Sequence, residues 1–171
     1  MKKLTTLLLA ATSLFFITAC TDDDDTIVDD SNNNTDTELA GTYRIIAYSA
    51  PTEQDLNEDG TSSVNLVGEN DCYSDWTITL NNDNTFSRQE KLVTIFEGEI
   101  TCEILSDEGT WSKDQETITL VNMEGTELNS EYTYLDATNS LSQTRQGTFP
   151  TMFEEVYIME NGTIGMIFAR E

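Results

Sequence analysis

The chain reads as all-β: a single antiparallel meander closed into an up-and-down β-barrel of about eight to ten strands. Three observations predict this. From Leu39 onward apolar and polar residues alternate with a period of two, as half-buried antiparallel strands require. Clusters of Asn, Asp and Gly recur between the alternating runs, supplying the backbone conformations that tight turns need. No segment shows a sustained helical period.

The strands are expected at 41–49, 75–80, 85–96, 99–105, 109–113, 117–123, 128–135, 140–147, 155–160 and 163–169. Trp76, Ile78 and Leu80 alternate with Asp75, Thr77 and Thr79. Ile118 and Leu120 alternate with Thr117 and Thr119, and Leu128, Tyr132 and Tyr134 face away from Asn129 and Thr133. Ile164, Met166 and Phe168 alternate with Gly165 and Ile167. Turns are expected at 81–84, 97–99, 124–125, 136–139 and 161–162. Asn161-Gly162 is the strongest hairpin signal, because both residues tolerate positive φ. A meander of this size hides its edges by closing on itself, and about 130 residues suffice for one core but not two.

The first 38 residues have another character. Lys2 and Lys3 precede an apolar run from Leu7 to Ile17, followed by Ile17-Thr18-Ala19-Cys20. Branched apolar, small, small, Cys is the pattern of a bacterial lipoprotein signal. Residues 1–19 are therefore expected to be cleaved and Cys20 lipidated, giving a membrane anchor. The run is too short to span a bilayer comfortably. Residues 20–38 carry almost nothing apolar to bury and read as a disordered acidic tether. The domain proper is 39–171. Asp22–Asp25 resembles the acidic export signal of surface lipoproteins; a solvating spacer is the alternative. The expected location is the outer membrane, facing outward.

Charge and composition exclude several functions. With 8 Lys and Arg against 32 Asp and Glu, the net charge is −24. Nucleic acid is a poor partner for such a surface, and a monomer is expected. Histidine is absent, which removes Ser-His-Asp and Cys-His catalysis and His-based zinc sites. Beyond Cys20 there remain Cys72 and Cys102. In an oxidising envelope the pair is most simply a disulfide; two free thiols are the alternative. The bridge requires Cys72 to sit in the loop before its strand.

Leu39-x-Gly41-Thr42-Tyr43, Asp55-x-Asn57-x-Asp59-Gly60-Thr61, Cys72, Asn81–Asn84-Thr85-Phe86, Cys102 and Gly109-Thr110-Trp111 occur in this order. In that order they resemble the lipocalin-like lipoprotein domains of Bacteroidota-type bacteria, over about residues 39–123. The resemblance implies an eight-stranded up-and-down barrel with an internal cup. Tyr43 stands where Trp is usual, which implies altered packing at the barrel floor.

Asp55, Asn57 and Asp59 before Gly60 look like the first half of a calcium loop. The twelfth position is Leu66 rather than Glu. An Asx-rich turn without metal is the simpler alternative, and calcium is the one cofactor the sequence suggests. Glu154-Glu155 and Asp107-Glu108 are expected in turns or at strand ends, as solvated charge. Neither Ser-x-x-Lys nor a Gly-rich phosphate loop occurs, so a carboxylate-based hydrolase is the minor hypothesis. Trp76, Trp111, Tyr132 and Tyr134, with Tyr43 and Phe168, fall on apolar faces and are either packed core or cavity lining. Arg88 and Glu90 share the parity of Phe86; pointing inward, they would give the barrel a polar or water-filled interior. The sequence thus supports a module that binds a small, partly apolar ligand through Trp76, Arg88, Glu90, Trp111, Tyr132 and Tyr134. The alternative is an interaction module with a filled barrel.

Overall fold

The computed structural model describes residues 36–123 and 130–171. Cys20 and the acidic tether up to residue 35 lie outside the described residues, as does the turn expected at 124–125. One helical turn, α1 (Asp36–Leu39), precedes nine strands: β1 (Gly41–Gln54), β2 (Ser63–Asn65), β3 (Thr77–Leu80), β4 (Thr85–Phe96), β5 (Glu99–Asp114), β6 (Thr117–Asn122), β7 (Ser130–Leu135), β8 (Ser140–Phe153) and β9 (Val156–Arg170). Among the described residues no helix is long and apolar enough to cross a membrane.

Eight strands close the barrel in the order β1-β3-β4-β5-β6-β7-β8-β9, and β9 pairs back onto β1. The extra strand β2 pairs antiparallel with the upper part of β1, through Ser49↔Asn65 and Gln54↔Ser63. All ladders are antiparallel. The expected meander is therefore present, with two corrections. The runs expected at 99–105 and 109–113 are one strand, β5, and those at 155–160 and 163–169 are one strand, β9. Asn161-Gly162 makes no hairpin: it lies within β9, opposite Thr148 and Gly147. The turn falls instead at Glu154-Glu155, both left-handed with φ of 50° and 64°, as a two-residue hairpin of matching twist requires. Gly162 serves packing rather than turning, since an added Cβ would lie 2.6 Å from Pro51 Cγ. Asp107-Glu108 likewise lies inside β5 and not at a strand end.

The two ends of the barrel differ. The lower end carries α1 and the turns at 81–84, 115–116 and 136–139. Here alternate residues of every strand interdigitate, with Tyr43, Ile78, Leu80, Phe86, Trp111, Ile118, Leu120, Leu141 and Phe168 buried. The Tyr43 hydroxyl donates to the Leu39 carbonyl at 2.8 Å, so the residue standing in place of Trp ties the floor to α1. Arg170 adds bonds to the carbonyls of Glu38 and Ala40.

The upper end is open because the strands are unequal. β4 and β5 pair from Thr85↔Thr110 to Phe96↔Glu99, and β8 and β9 from Ser140↔Ala169 to Phe153↔Val156. β3 stops at Thr77↔Gln89 and β6 pairs with β7 only as far as Leu120↔Ser130. Above β3 the wall is continued by two single 3₁₀ turns, Leu66–Gly68 and Asp71–Tyr73. Asn65 and Asn70 cap them by accepting from the N–H groups of Val67 and Cys72. Leu66 and Tyr73 are fully buried. The Cys72–Cys102 disulfide, with Cα atoms 5.6 Å apart, fastens this segment to β5, and Lys91 Nζ on β4 donates to the Asp71 carbonyl at 2.6 Å. Cys72 thus sits in the loop before its strand, as the bridge requires. Among the described residues, every ladder, the core and the disulfide lie within Leu39–Glu171.

Candidate functional site: a charged layer inside the barrel

Halfway up, the apolar core gives way to charge. Arg88 is paired across the ladder with Ile78, which is fully buried, so β4 turns Phe86, Arg88 and Glu90 inward. The guanidinium forks onto Asp107, with Nε–Oδ1 at 2.9 Å and Nη2–Oδ2 at 2.7 Å. Its Nη1 donates to Ser130 Oγ at 2.9 Å and to the Tyr132 hydroxyl at 3.2 Å. Asn122 Nδ2 donates to Asp107 at 3.4 Å. The side chains of Arg88 and Asp107 are 12% and 23% exposed, and a bidentate, largely desolvated pair of this kind holds geometry well. Burial opposes the Arg88 charge, but the Asp107 hydrogen bonds and nearby Glu90 outweigh it and raise its pKa.

Glu90 lies between two arginines, 3.5 Å from Arg88 Nη1 and 3.9 Å from Arg145 Nη2. Arg145 comes from β8, two residues beyond Gln143 and four beyond the fully buried Leu141. Burial raises the pKa of the Tyr48 and Tyr132 phenols, Arg145 lowers both and Glu90 raises both; these groups share one interior. Glu90 Oε1 and Gln143 Oε1 are buried without a hydrogen-bond partner. Beside this layer Tyr48, Tyr73 and Trp76 pack together, with ring centroids 4.6 Å (Tyr48–Tyr73) and 5.4 Å (Tyr48–Trp76) apart. A recess of about 680 Å³ is lined by Arg88, Asp107 and Asn122 together with Ser87, Gln89 and Glu108, which lie on the other face of the β4–β5 ladder. Its size lies in the range of small-molecule sites, and its lining is mainly polar.

A family model for the lipocalin-like domain matches residues 39–142. The chain belongs to the lipocalin-like domain family. No curated protein and no solved structure matches it. The lipocalin-like barrel is a fold that binds small molecules, and here its interior presents the charged layer just described.

Of the residues expected in this lipocalin-like site, the fold brings Arg88, Glu90 and Tyr132 together. Trp76 is nearby but 3% exposed, its indole N–H donating to the Cys72 carbonyl. Trp111 plugs the lower end, donating to the Asn81 carbonyl at 3.0 Å. Tyr134 is also at the lower end, its hydroxyl on Asn139 and Lys113 Nζ 5.5 Å from its ring centroid. Neither belongs to the charged layer. Asp107, Ser130, Gln143 and Arg145 do belong to it and were missed; the inward parity that β8 shares from Leu141 to Phe149 was the available signal for Arg145.

Asp55, Asn57 and Asp59 lie in an exposed loop after β1. Asp55 accepts from the N–H groups of Asp59 and Gly60, Asn57 from Asp59, and Asp59 from Thr61, all between 2.8 and 3.0 Å. These are Asx-turn bonds. Among the described residues no group of three or more acidic or Cys side chains is placed to hold a metal ion.

Proposed function

We propose that this protein is a lipid-anchored, surface-exposed lipoprotein of the outer membrane whose barrel binds a small, partly apolar ligand as a monomer. The carrying observation is the charged layer. A barrel serving only as a scaffold gains nothing from burying Arg88, Asp107 and Glu90, because desolvating ions offsets their mutual attraction. A solvent-facing recess above a packed floor is what a ligand requires. The anchor rests on Ile17–Cys20 and the outward destination on Asp22–Asp25.

Calorimetric titration of the oxidised protein from residue 21 with dodecanoate, dodecanol and dodecylamine tests the binding. At least one should bind saturably, one molecule per chain; no binding of any to the folded protein refutes the proposal. Cys20→Ala should abolish palmitate labelling, and labelling that persists refutes the anchor. Alanine at Asp22–Asp25 should reduce protease shaving from intact cells; unchanged shaving refutes the export signal.

A further inference from the structure

One edge of the wall presents a row of backbone groups without a protein partner. β5 pairs with β4 through its whole upper part, from Phe86↔Gly109 to Phe96↔Glu99. On the other side β6 pairs only as far as Gly109↔Asn122, and the Met123 N–H closes that ladder on the Glu108 carbonyl at 3.1 Å. Successive residues of an antiparallel strand turn their N–H and C=O to opposite neighbours. Ile100, Cys102, Ile104 and Ser106 share the parity of Glu108, so they turn both groups to the bare side. Among the described residues no strand takes them up. Such a row is a template for a further strand.

The two faces of this edge differ in chemistry. From Thr101 to Ser106 every residue is exposed. Ile100 and Ile104 have the outer parity, opposite to that of the buried Trp111. Ile104 is 60% exposed, and where β6 stops, Val121 and Met123 are 40% and 68% exposed. The other parity carries Thr101, Leu105 and the exposed acids Glu99 and Glu103. Between Lys91 and Lys113 the chain has Glu97, Glu99, Glu103, Asp107 and Glu108 and no basic residue; of these acids Asp107 is taken by Arg88. Side chains directly opposite one another in an antiparallel pair share a face and interact. A strand laid along this edge therefore meets isoleucines on one face and carboxylates on the other.

We propose that the bare edge of β5 takes an extended basic segment of another protein as an added strand, its apolar side chains beside Ile100 and Ile104 and its Lys or Arg side chains beside Glu99 and Glu103. Main-chain bonds to the edge supply affinity, and alternate side chains supply specificity. Charge selects the partner, because a hairpin with acids and no bases attracts a basic strand and repels an acidic one. The surface lies on the wall of the barrel, and the proposal is independent of what the interior binds.

Amide hydrogen exchange on the oxidised full chain in neutral detergent tests this. The probes are a peptide of alternating lysine and valine and one of alternating glutamate and valine, each long enough to span residues 99–107. In the free protein the amides of Ile100, Cys102, Ile104 and Ser106 should exchange fast, as exposed unbonded groups do. The lysine peptide should bind one per chain and slow those amides about tenfold or more. It should bind about tenfold more tightly than the glutamate peptide, the effect of opposite against like cross-strand charges. Glu99→Lys/Glu103→Lys should reverse the preference. Ile104→Pro removes one edge donor and leaves the β4 ladder intact, since that N–H points away from β4; it should weaken the lysine peptide about tenfold, with circular dichroism showing the barrel kept. No binding of the lysine peptide, equal binding of the two peptides, binding that leaves the four amides fast, or a preference unmoved by the charge reversal overturns the proposal. So do amides already slow in the free monomer, which means the chain fills its own edge, and amides slowed only as a dimer forms, which makes a second copy the occupant.

Discussion

Removing the Cys72–Cys102 bridge tests how the upper wall is held. The two residues are 30 apart in sequence, and closing a loop of that length removes about 3.7 kcal/mol of chain entropy from the unfolded state. The loop contains β3, all of β4 and the first residues of β5, and it begins within the second 3₁₀ turn. Cys72 is 5% exposed and Tyr73 beside it is fully buried, so the folded segment is also held by packing and needs no cross-link to keep its place. The double variant Cys72→Ala/Cys102→Ala should therefore fold to the same barrel and lose stability mainly through its freer unfolded chain. At roughly 3–4 °C per kcal/mol for a domain of this size, the Tm should fall by about 13 °C. Circular dichroism during heating measures it, with the unaltered protein under reducing conditions as a second route to the same state. A fall of less than about 4 °C would refute the reasoning, because the unfolded chain would then already be confined.

Arg88→Met should cost about 3 kcal/mol, because Asp107 and Glu90 stay in the interior without their partner. Arg88→Met/Asp107→Leu should recover most of it, and denaturant unfolding in which the double variant is no better than the single contradicts this. The Tyr43 phenol is pushed up to about 12, chiefly by burial. A group whose proton is held more tightly when folded contributes its full stability below its unfolded pKa of about 10 and loses it as pH rises toward the folded value. Stability should therefore decline between about pH 10 and pH 12, followed by phenolate absorbance and unfolding. Tyr43→Phe should flatten that decline while costing about 1 kcal/mol at neutral pH for the lost Leu39 hydrogen bond; an unchanged alkaline slope would contradict it.

The barrel was legible in the alternation of Trp76–Leu80, Thr117–Leu120 and Ile164–Phe168, since those ladders bury one face. Both misplaced strand breaks have one physical origin. Ser106-Asp107-Glu108 looked like an interruption because polar residues broke the apolar run; Asp107 is polar because it faces Arg88. Asn161-Gly162 reads as a turn because Asn-Gly accepts positive φ; Gly162 is small because Pro51 lies against it. Local propensity says what a backbone can do, not what a cross-strand neighbour requires. The same limit hid part of the site. Arg88 and Glu90 were visible because they share the parity of Phe86, whereas Arg145 becomes significant only when closure brings β8 opposite β4. β2 and the 3₁₀ turns carry no period, and their placement depends on how short β3 is.

The unequal strands that open the barrel also leave an edge bare. Along residues 99–107 the outer side of β5 has no strand partner among the described residues, because β6 begins pairing at Gly109↔Asn122. Unpaired N–H and C=O groups in a row invite a second chain to add itself as another strand. Glu99 and Glu103 are exposed along this stretch with Glu108 just beyond it, and Glu154 and Glu155 stand at the tip of the β8–β9 hairpin. A second copy approaching edge to edge meets like charge at each step. The acidity that composition alone assigns to solubility is thus placed where it keeps an open mouth from becoming a seam between molecules.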